Sequence, residues 1–503
     1  MQMTGEPQLY VGIDIGTSGC KASVIDAAAY VVAEGHAGYR SYHPQPGWVE
    51  QHPADWVAAA FAACDDVFGS LTVTQRATVA AISFSAPTHV AVLVGGDGVP
   101  VRPAIMWNDQ RSATQAEELR RTDGAHIAAV TDNAPTPTWT LAQLRWLAEN
   151  EPGAIDATQQ LWFMKDWVRS HFSATAPFCT DRVDAQGALL LDVHTHEWDP
   201  TLVARAGLPM SAMPEVREPT SVTGALAPEL AARWGLESVS VTVGTTDTAA
   251  ELLAAGLAGH GDTAIKIATA GNVAVVADSR PTDKRVLCYE HVVPGVFYWN
   301  SATSAAAASL RWLGESMLVA EGPVDFAEID RKVAQTPPGA DGLLFTPYLN
   351  GERSPRFDPA LRATFAGISA RHSWPHFARA VMEGVAFSLR DAAGLYSAPL
   401  PPAVALIGGG ARSAVWPRIV ADVLDRDVSV LSECDSSVGA ALVAAVGAGG
   451  LPTLIDAAHV ARGRASRTVK PDPDQRELYG SRFEDYLSLA ETTAQISHRL
   501  GRS

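Results

Sequence analysis

The sequence predicts an α/β protein in which helices cover mixed β-sheets, built as two related halves. Short β-like runs alternate with Ala-, Leu- and Glu-rich stretches along the whole chain, the pattern of layered α/β domains. A strand–turn–strand segment starting at residue 10, YVGIDIGTSGCKASVID, recurs in kind from residue 262 as DTAIKIATAGNVAVVAD. The length of 503 residues, with 47% hydrophobic and 18% charged side chains, supports two or more packed cores and excludes disorder for most of the chain.

The strand-like runs fall at residues 9–13, 79–83, 91–94, 239–243, 264–267, 273–276 and 404–407, bounded by Gly, Asp or Pro. Between them, residues 112–121, 141–150 and 376–393 carry apolar side chains at three- and four-residue spacing, the period of a helix with one buried face. The recurring hairpins place a boundary near residue 250 and divide the chain into halves 1–252 and 253–503 meeting at a cleft. Two unrelated hairpins in an ordinary α/β protein read the same way if these segments stand alone.

Lys and Arg number 38 against 55 Asp and Glu, a formal charge of −17. Nucleic acid and anionic membranes need a basic footprint and are disfavoured as partners; one phosphate ligand held by backbone amides is not. Five scattered cysteines without CxxC spacing make neither a disulfide framework nor a zinc site, and fit a reducing cytoplasm. Residues 1–7 are polar and lack the apolar run of a signal peptide. The run 438–450 is too short and too rich in Ala and Gly to span a membrane. A cytoplasmic protein without a membrane partner is expected.

Three turns have the chemistry to hold a nucleotide. In Asp14-Ile15-Gly16-Thr17-Ser18-Gly19-Cys20-Lys21, a glycine turn exposes successive N–H groups and Thr17 and Ser18 add hydroxyls, a nest suited to phosphate. Asp14 at the strand end suits Mg²⁺, which takes one or two carboxylates plus phosphate oxygens, and Lys21 adds a positive charge. Thr269-Ala270-Gly271 offers a second set of small donors. Gly408-Gly409-Gly410 follows a strand and precedes a helical stretch, where glycines permit close backbone approach and a helix N-terminus favours anions. Neither a dinucleotide fingerprint nor a P-loop is present. Asp247, in GTTDT at a strand-to-helix junction, reads either as a helix N-cap or as a general base.

Together these segments resemble the FGGY carbohydrate kinases, within the superfamily that includes actin and the heat-shock ATPases. The resemblance runs from about residue 9 to about 485. The stretch 363–368 followed by 376–383 (HFARAVME) fits the family's C-terminal signature, whereas an earlier signature is met only partly, with Gln143 where Lys is usual before Leu144-Arg145-Trp146-Leu147. Within the family the chain is most similar to xylulokinases, through GWVEQHPADWV (47–57), RPAIMWNDQRS (102–112), LLFTPYLNGERSP (343–355) and LIGGGARSAVW (406–416).

The resemblance implies two actin-like, ribonuclease H-like domains closing over sugar and nucleotide, and transfer of the ATP γ-phosphoryl to a terminal hydroxyl of a ketopentose, D-xylulose first. It implies that Asp247 is the catalytic base, that Asp14 is the metal-linked carboxylate, and that Gly16, Thr17, Ser18 and Lys21 cradle the phosphates. Thr269 and Gly271 match the second phosphate loop, and Gly409 and Gly410 the adenosine-contacting turn. Thr88 and His89 match the sugar loop, and Trp107 the aromatic wall of the sugar site. By themselves His89 is equally an ordinary hydrogen-bonded histidine and Trp107 a core residue. Where xylulokinases read Gln-Met-His-Gly, this chain reads Pro87-Thr88-His89-Val90. That departure leaves D-ribulose, another ketose or polyol, and gluconate as alternative substrates, with Thr88 and Val90 expected to shape the sugar pocket. A non-catalytic actin-like ATPase switch and a sugar-binding regulator are the readings outside catalysis; both Asp14 and Asp247 are retained, which favours the kinase. Homodimers are frequent in the family.

Overall fold

The computed structural model describes residues 8–283, 285–318, 323–396, 398–431, 434–464 and 467–500. The elements that matter for the site are, in chain order, β1 (Leu9–Ile15), β2 (Gly19–Asp26), β3 (Val31–Gly38), α1 (Pro53–Ser70), β4 (Val79–Ala86), β5 (Val222–Ala225), β6 (Ser240–Thr242), α2 (Asp247–Ala254), β7 (Thr263–Ile267), β8 (Gly271–Ala277), β9 (Phe297–Thr303), α3 (Trp374–Ala393), β10 (Ala403–Ile407), β11 (Asp427–Val430), α4 (Ser436–Gly447) and β12 (Arg467–Val469). The strands and helices expected from periodicity are all present, with ends that match or shift by up to three residues.

The chain forms two compact units. One comprises residues 1–258 together with 289–297 and 435–463; the other comprises 259–288, 298–434 and 464–503. The sheet of the first unit runs β3-β2-β1-β4-β6-β5. Within it β1–β2 and β2–β3 are antiparallel, β4 lies parallel to β1, β6 parallel to β4, and β5 antiparallel to β6. The sheet of the second unit runs β9-β8-β7-β10-β11-β12. Here again the opening hairpin β7–β8 is antiparallel, β10 and β11 continue in parallel, and β12 turns antiparallel. In both sheets the first strand of the recurring hairpin pairs in parallel with a later strand, β1 with β4 and β7 with β10; the orders part at the edges, where β5 lies outside β6 but β12 outside β11, and where a strand at Leu287–Glu290 flanks β9.

Each sheet is covered for a reason visible in its strands. β1 is buried almost throughout, with Leu9, Tyr10, Val11, Ile13 and Ile15 all at or below 3% exposure, as expected of a strand with cover on both faces. α1 packs on β2 and β3, and α4 lies along β1 and β4. Phe61, Phe68, Phe84, Phe172 and Trp234 interlock in the first unit's core at centroid separations of 5.1–6.3 Å, distances at which aromatic rings attract. The apolar run 438–450 belongs largely to α4, a buried core helix. No described helix is long and apolar enough to cross a membrane. All five cysteines are buried and unbridged.

Candidate active site

In the first unit, register aligns the site. Asp14 near the end of β1 pairs with Ser85 near the end of β4, and Thr245 and Thr246 pair with Ser85 and Ala86. Asp14, Ser85 and the entrance to α2 therefore sit side by side at the carboxyl ends of parallel strands, where open α/β sheets place their ligands. Ser85 Oγ–H donates to Asp14 Oδ1 at 2.9 Å. Burial and then the nearby Asp247 carboxylate push the Asp14 carboxyl up to about 8, with Asp435 and Glu251 adding to the rise against the Ser85 hydrogen bond.

Asp247 is the first residue of α2, and Thr246 occupies the N-cap. The N-cap reading of Asp247 is therefore incorrect. Its Oδ1 accepts from the Thr248 N–H at 2.6 Å and lies 3.2 Å from the Thr248 hydroxyl, and the side chain stays partly exposed.

The first glycine turn is a tight hairpin. Gly16 N–H donates to Gly19 C=O at 2.9 Å, so it is committed within the turn, while Ser18 is exposed at the tip. Tyr39 O–H donates to the Gly16 carbonyl, and Gln51 Nε2 donates to the Thr17 carbonyl at 2.8 Å. Trp107 Nε1 donates to Thr17 Oγ1 at 3.2 Å, which joins the expected sugar wall to the expected phosphate turn. Lys21 is paired with Glu34 at 2.6 Å and with Asp435; Asp435 also caps α4, accepting from Ser437 and Val438 N–H. Lys21 thus holds α4 and β3 to the hairpin, and its charge is already balanced.

His89 is 6% exposed and adopts a left-handed backbone, φ 71°. Its Nδ1 lies 3.3 Å from the Thr138 carbonyl and its Nε2 3.2 Å from the Tyr289 hydroxyl. A carbonyl only accepts, so a neutral ring donates from Nδ1 and accepts the tyrosine proton at Nε2. Trp139 lies 4.1 Å from the His89 ring and stacks on Tyr289 at 5.8 Å and 11°. Val90 is 1% exposed within the hydrophobic core. Its isopropyl group packs in the same cluster against which Trp107 lies. Thr88 keeps its hydroxyl buried over Gly187 and beside the Asp184 carboxyl.

Beneath this loop lies a charged cluster that sequence reasoning missed. Lys165 Nζ lies 2.8 Å from Asp166, 2.9 Å from Asp181 and 3.5 Å from Asp184, and Arg169 Nε lies 3.4 Å from Asp166. All five are essentially inaccessible. Three carboxylates face two cations. Burial pushes both the Asp184 and the Asp181 carboxyls up, Lys165 opposing and the neighbouring carboxylates reinforcing, so the cluster favours holding one proton among its three carboxyls. Thr245 Oγ–H donates to Asp181 at 3.4 Å; the cluster underpins both the Thr88 turn and the approach to Asp247. Ion pairs this deeply desolvated are costly unless fully paired.

Burial pushes the His89 imidazole down to about 3, and burial with the Arg182 charge does the same to His291. In the unfolded chain both titrate near ~6.5. Between roughly pH 6.5 and 3 the unfolded chain takes up protons that the folded chain refuses, so stability is lost as pH falls. Each histidine contributes up to about 1.4 kcal/mol per pH unit. The raised carboxyls of Asp14 and Asp184 act in the opposite sense over the same range, so the histidine contribution is read as a difference: the melting temperature of His89→Gln relative to wild type is expected to rise from pH 7 to pH 5. A difference that stays flat over that range is the contrary result.

In the second unit, the turn 269–271 is built on the segment after β9. Ala306 and Ala308 N–H donate to the Thr269 carbonyl at 3.0 and 3.2 Å, and Ala307 N–H donates to Ala268 C=O at 2.8 Å. Thr269 is exposed and Gly271 buried. A Cβ on Gly271 would lie 2.5 Å from Thr303 Oγ1, so only glycine fits without displacement. The turn after β10 is a 3₁₀ turn, Gly409–Arg412, and the following α-helix starts only at Trp416. The expected helix N-terminus is therefore not at the glycines. A Cβ on Gly410 would lie 2.4 Å from Ile267 Cγ2, whereas one on Gly409 would meet nothing within 4 Å; Gly409 is the glycine with open space beside it.

Family models for the N-terminal and C-terminal domains of the FGGY carbohydrate kinases match residues 9–254 and 268–448. The chain belongs to the FGGY family of carbohydrate kinases. A xylulose kinase of Lactococcus lactis is 32% identical over 501 residues, covering 97% of this chain and 98% of that protein. A crystal structure of xylulose kinase from Rhodospirillum rubrum superposes with a TM-score of 0.86 at 31% identity, covering 98% of this chain and all of that one. One titled as a xyloylose kinase from Brucella ovis superposes at 0.88 with 28% identity, covering 97% and 100%. As an FGGY kinase the chain is an enzyme of sugar phosphorylation with the family's two-domain α/β fold, and ATP is the family's phosphoryl donor. The residues carrying the site fit this chemistry. The Asp14 and Asp247 carboxylates stand close together while the nearby Lys21 is already neutralised. Among the described residues no group of three or more His, Cys, Asp or Glu is placed to hold a metal ion by itself.

Proposed function

We propose that this kinase transfers the γ-phosphoryl group of ATP to a terminal hydroxyl of a ketopentose, D-xylulose first. The observation that carries the reading is the side-by-side placement of Asp14, Ser85 and Asp247 at the carboxyl ends of β1, β4 and the strand 245–246, in a chain whose full-length relatives include xylulose kinases. Asp247 accepts the proton of the attacking hydroxyl; its tie to Thr248 fixes one carboxylate oxygen and leaves the other for the sugar. Phosphoryl transfer depends on positioning and charge neutralisation more than on covalent chemistry, so late proton acceptance by a carboxylate suffices.

Asp14, oriented by the Ser85 hydroxyl, would hold Mg²⁺, which when bound would supply positive charge beside the transferring phosphoryl group. With the Gly16 N–H used inside the hairpin, Thr17 and Ser18 supply the donors of the first phosphate turn, and Lys21 acts by fixing the hairpin to α4. Thr269 and Gly271 form the second phosphate turn, and Gly409 with Gly410 the adenosine contact. Trp107 walls the sugar. His89 meets it through Nε2, in exchange for the Tyr289 hydroxyl. The family's domain boundary falls near residues 252 and 253, and the enzyme acts in the cytoplasm.

A screen of ketoses, polyols and sugar acids with coupled ADP detection tests the reading. D-Xylulose is expected to give the highest kcat/KM. A higher value for D-ribulose, a polyol or gluconate reassigns the substrate, and ATP turnover that no sugar stimulates rejects the kinase reading in favour of a switch.

A further inference from the structure

The segment LLFTPYLNGERSP, part of the resemblance to xylulokinases, contains a carboxylate that the proposed mechanism does not use. Glu352 is 3% exposed. Its Oε1 accepts two backbone N–H groups, Ser304 at 2.6 Å and Arg353 at 2.8 Å, and its Oε2 accepts the Ser388 hydroxyl of α3 at 3.3 Å. The neighbouring side chain reinforces the joint: Arg353 Nη2 donates to Thr303 C=O at 2.7 Å, and Ser354 N–H donates to Ala302 C=O at 2.9 Å.

Three of these bonds, through Ser304 N–H, Thr303 C=O and Ala302 C=O, end on residues 302–304, where β9 stops and the chain turns to residues 306–308. Those are the residues whose N–H groups hold the Thr269 and Ala268 carbonyls, and Thr303 Oγ1 is the atom that closes on Gly271. From Glu352 the chain of contacts therefore reaches the exposed Thr269 turn in two steps, entirely within one compact unit.

We infer that Glu352 is a positioning residue for the nucleotide: by accepting the Ser304 and Arg353 N–H groups it fixes the floor of the 269–271 turn and so sets affinity for the ATP phosphates. The inference rests on the reading of that turn as the second phosphate loop. The role requires an acceptor more than a charge. Burial pushes the carboxyl up to about 7 against the pull of the two N–H donors, so a neutral side chain of the same shape satisfies the site. A glutamine amide oxygen accepts the same two bonds. An aspartate, one methylene shorter, draws Ser304 inward or loses it, and an alanine leaves both N–H groups unpaired.

The test compares Glu352→Ala, Glu352→Asp and Glu352→Gln in the full chain, with KM for ATP and for the sugar, ADP titration without sugar, and melting temperature. Glu352→Ala is expected to raise KM for ATP and weaken ADP binding about tenfold or more, the scale of a lost charge-assisted hydrogen bond. KM for the sugar should stay within about twofold. Glu352→Asp should fall between, and Glu352→Gln should restore nucleotide affinity to within about threefold of wild type. If Glu352→Ala does not fold, the Asp and Gln variants decide by the same ranking.

A lowered melting temperature with unchanged nucleotide affinity overturns the inference and leaves Glu352 a structural residue. Thr269→Val separates the two layers. Weakened ATP binding in Thr269→Val with normal binding in Glu352→Ala and Glu352→Asp rejects only the positioning role. Normal binding in all of them rejects the phosphate-loop reading as well.

Discussion

Replacing Asp247 with alanine is expected to lower kcat by about 10²–10⁴-fold, the effect of removing a positioned acid–base group, while leaving the protein folded. The stability cost should be small. Thr246, not Asp247, occupies the N-cap position of α2 and makes no side-chain cap bond there, so the substitution removes only the bonds to the Thr248 N–H and hydroxyl and a favourable charge at the helix N-terminus, about 0.5–1 kcal/mol. Asp247→Asn sharpens the distinction. Its amide oxygen still accepts the Thr248 N–H, so stability should match wild type while turnover falls as far as in the alanine variant. The substitution also withdraws the charge that, after burial, does most to raise the Asp14 carboxyl, so Asp14 ionises at lower pH in both variants. Turnover within tenfold of wild type, alongside a lowered melting temperature, overturns the general-base role and leaves Asp247 a helix-end residue. Steady-state kinetics and thermal melts on the same preparations read both quantities.

What was legible in the sequence was what is local. The two hairpins are contiguous in sequence, so their strands and turns can be read directly, and the alternating runs mark the strands and helices that follow them. Asp14 and Asp247 were found because each ends a strand beside small, hydroxyl-bearing residues. Less legible was everything joined over long separations. Lys21 meets Asp435 and Ser23 meets Ser437, each across 414 residues; nothing near Lys21 announces that its charge is spent on the cap of a distant helix. The Lys165 cluster is scattered from 165 to 184 among apolar residues, and only the fold shows that all its charges are buried. The backbone of the His89 loop was hidden for a different reason: its positive φ is a conformation that a non-glycine residue rarely adopts and that no spacing rule predicts.

The second large effect concerns α4, the element that the sequence offered only as a run too short for a membrane. It lies on β1 with backbone against backbone. A Cβ on Gly12 would stand 1.8 Å from the Ser437 carbonyl oxygen and 2.4 Å from the Ala441 nitrogen, and one on Gly439 would stand 1.9 Å from the Ala250 carbonyl oxygen. Rotamer changes cannot relieve such overlaps because the opposing atoms are main chain. Gly12→Ala is therefore expected to reach the upper end of overpacking costs, about 3 kcal/mol or more, and to lower the melting temperature of this unit by roughly 5 °C or more. The consequence extends to the site. The N-terminus of α4 carries Asp435, bound to Lys21, and the Ser436 carbonyl, 3.3 Å from Ser85 Oγ; the same Ser85 hydroxyl orients Asp14. Displacing α4 by even one ångström should thus reduce turnover at temperatures where the variant is still folded, with KM for ATP and kcat both affected. Gly409→Ala is the matched control: with open space at its Cβ position it should melt with the wild type, and any change should appear in KM for ATP. If Gly12→Ala also melts with the wild type, α4 does not bear on β1 as closely as this geometry requires, and the coupling from helix to Asp14 fails with it.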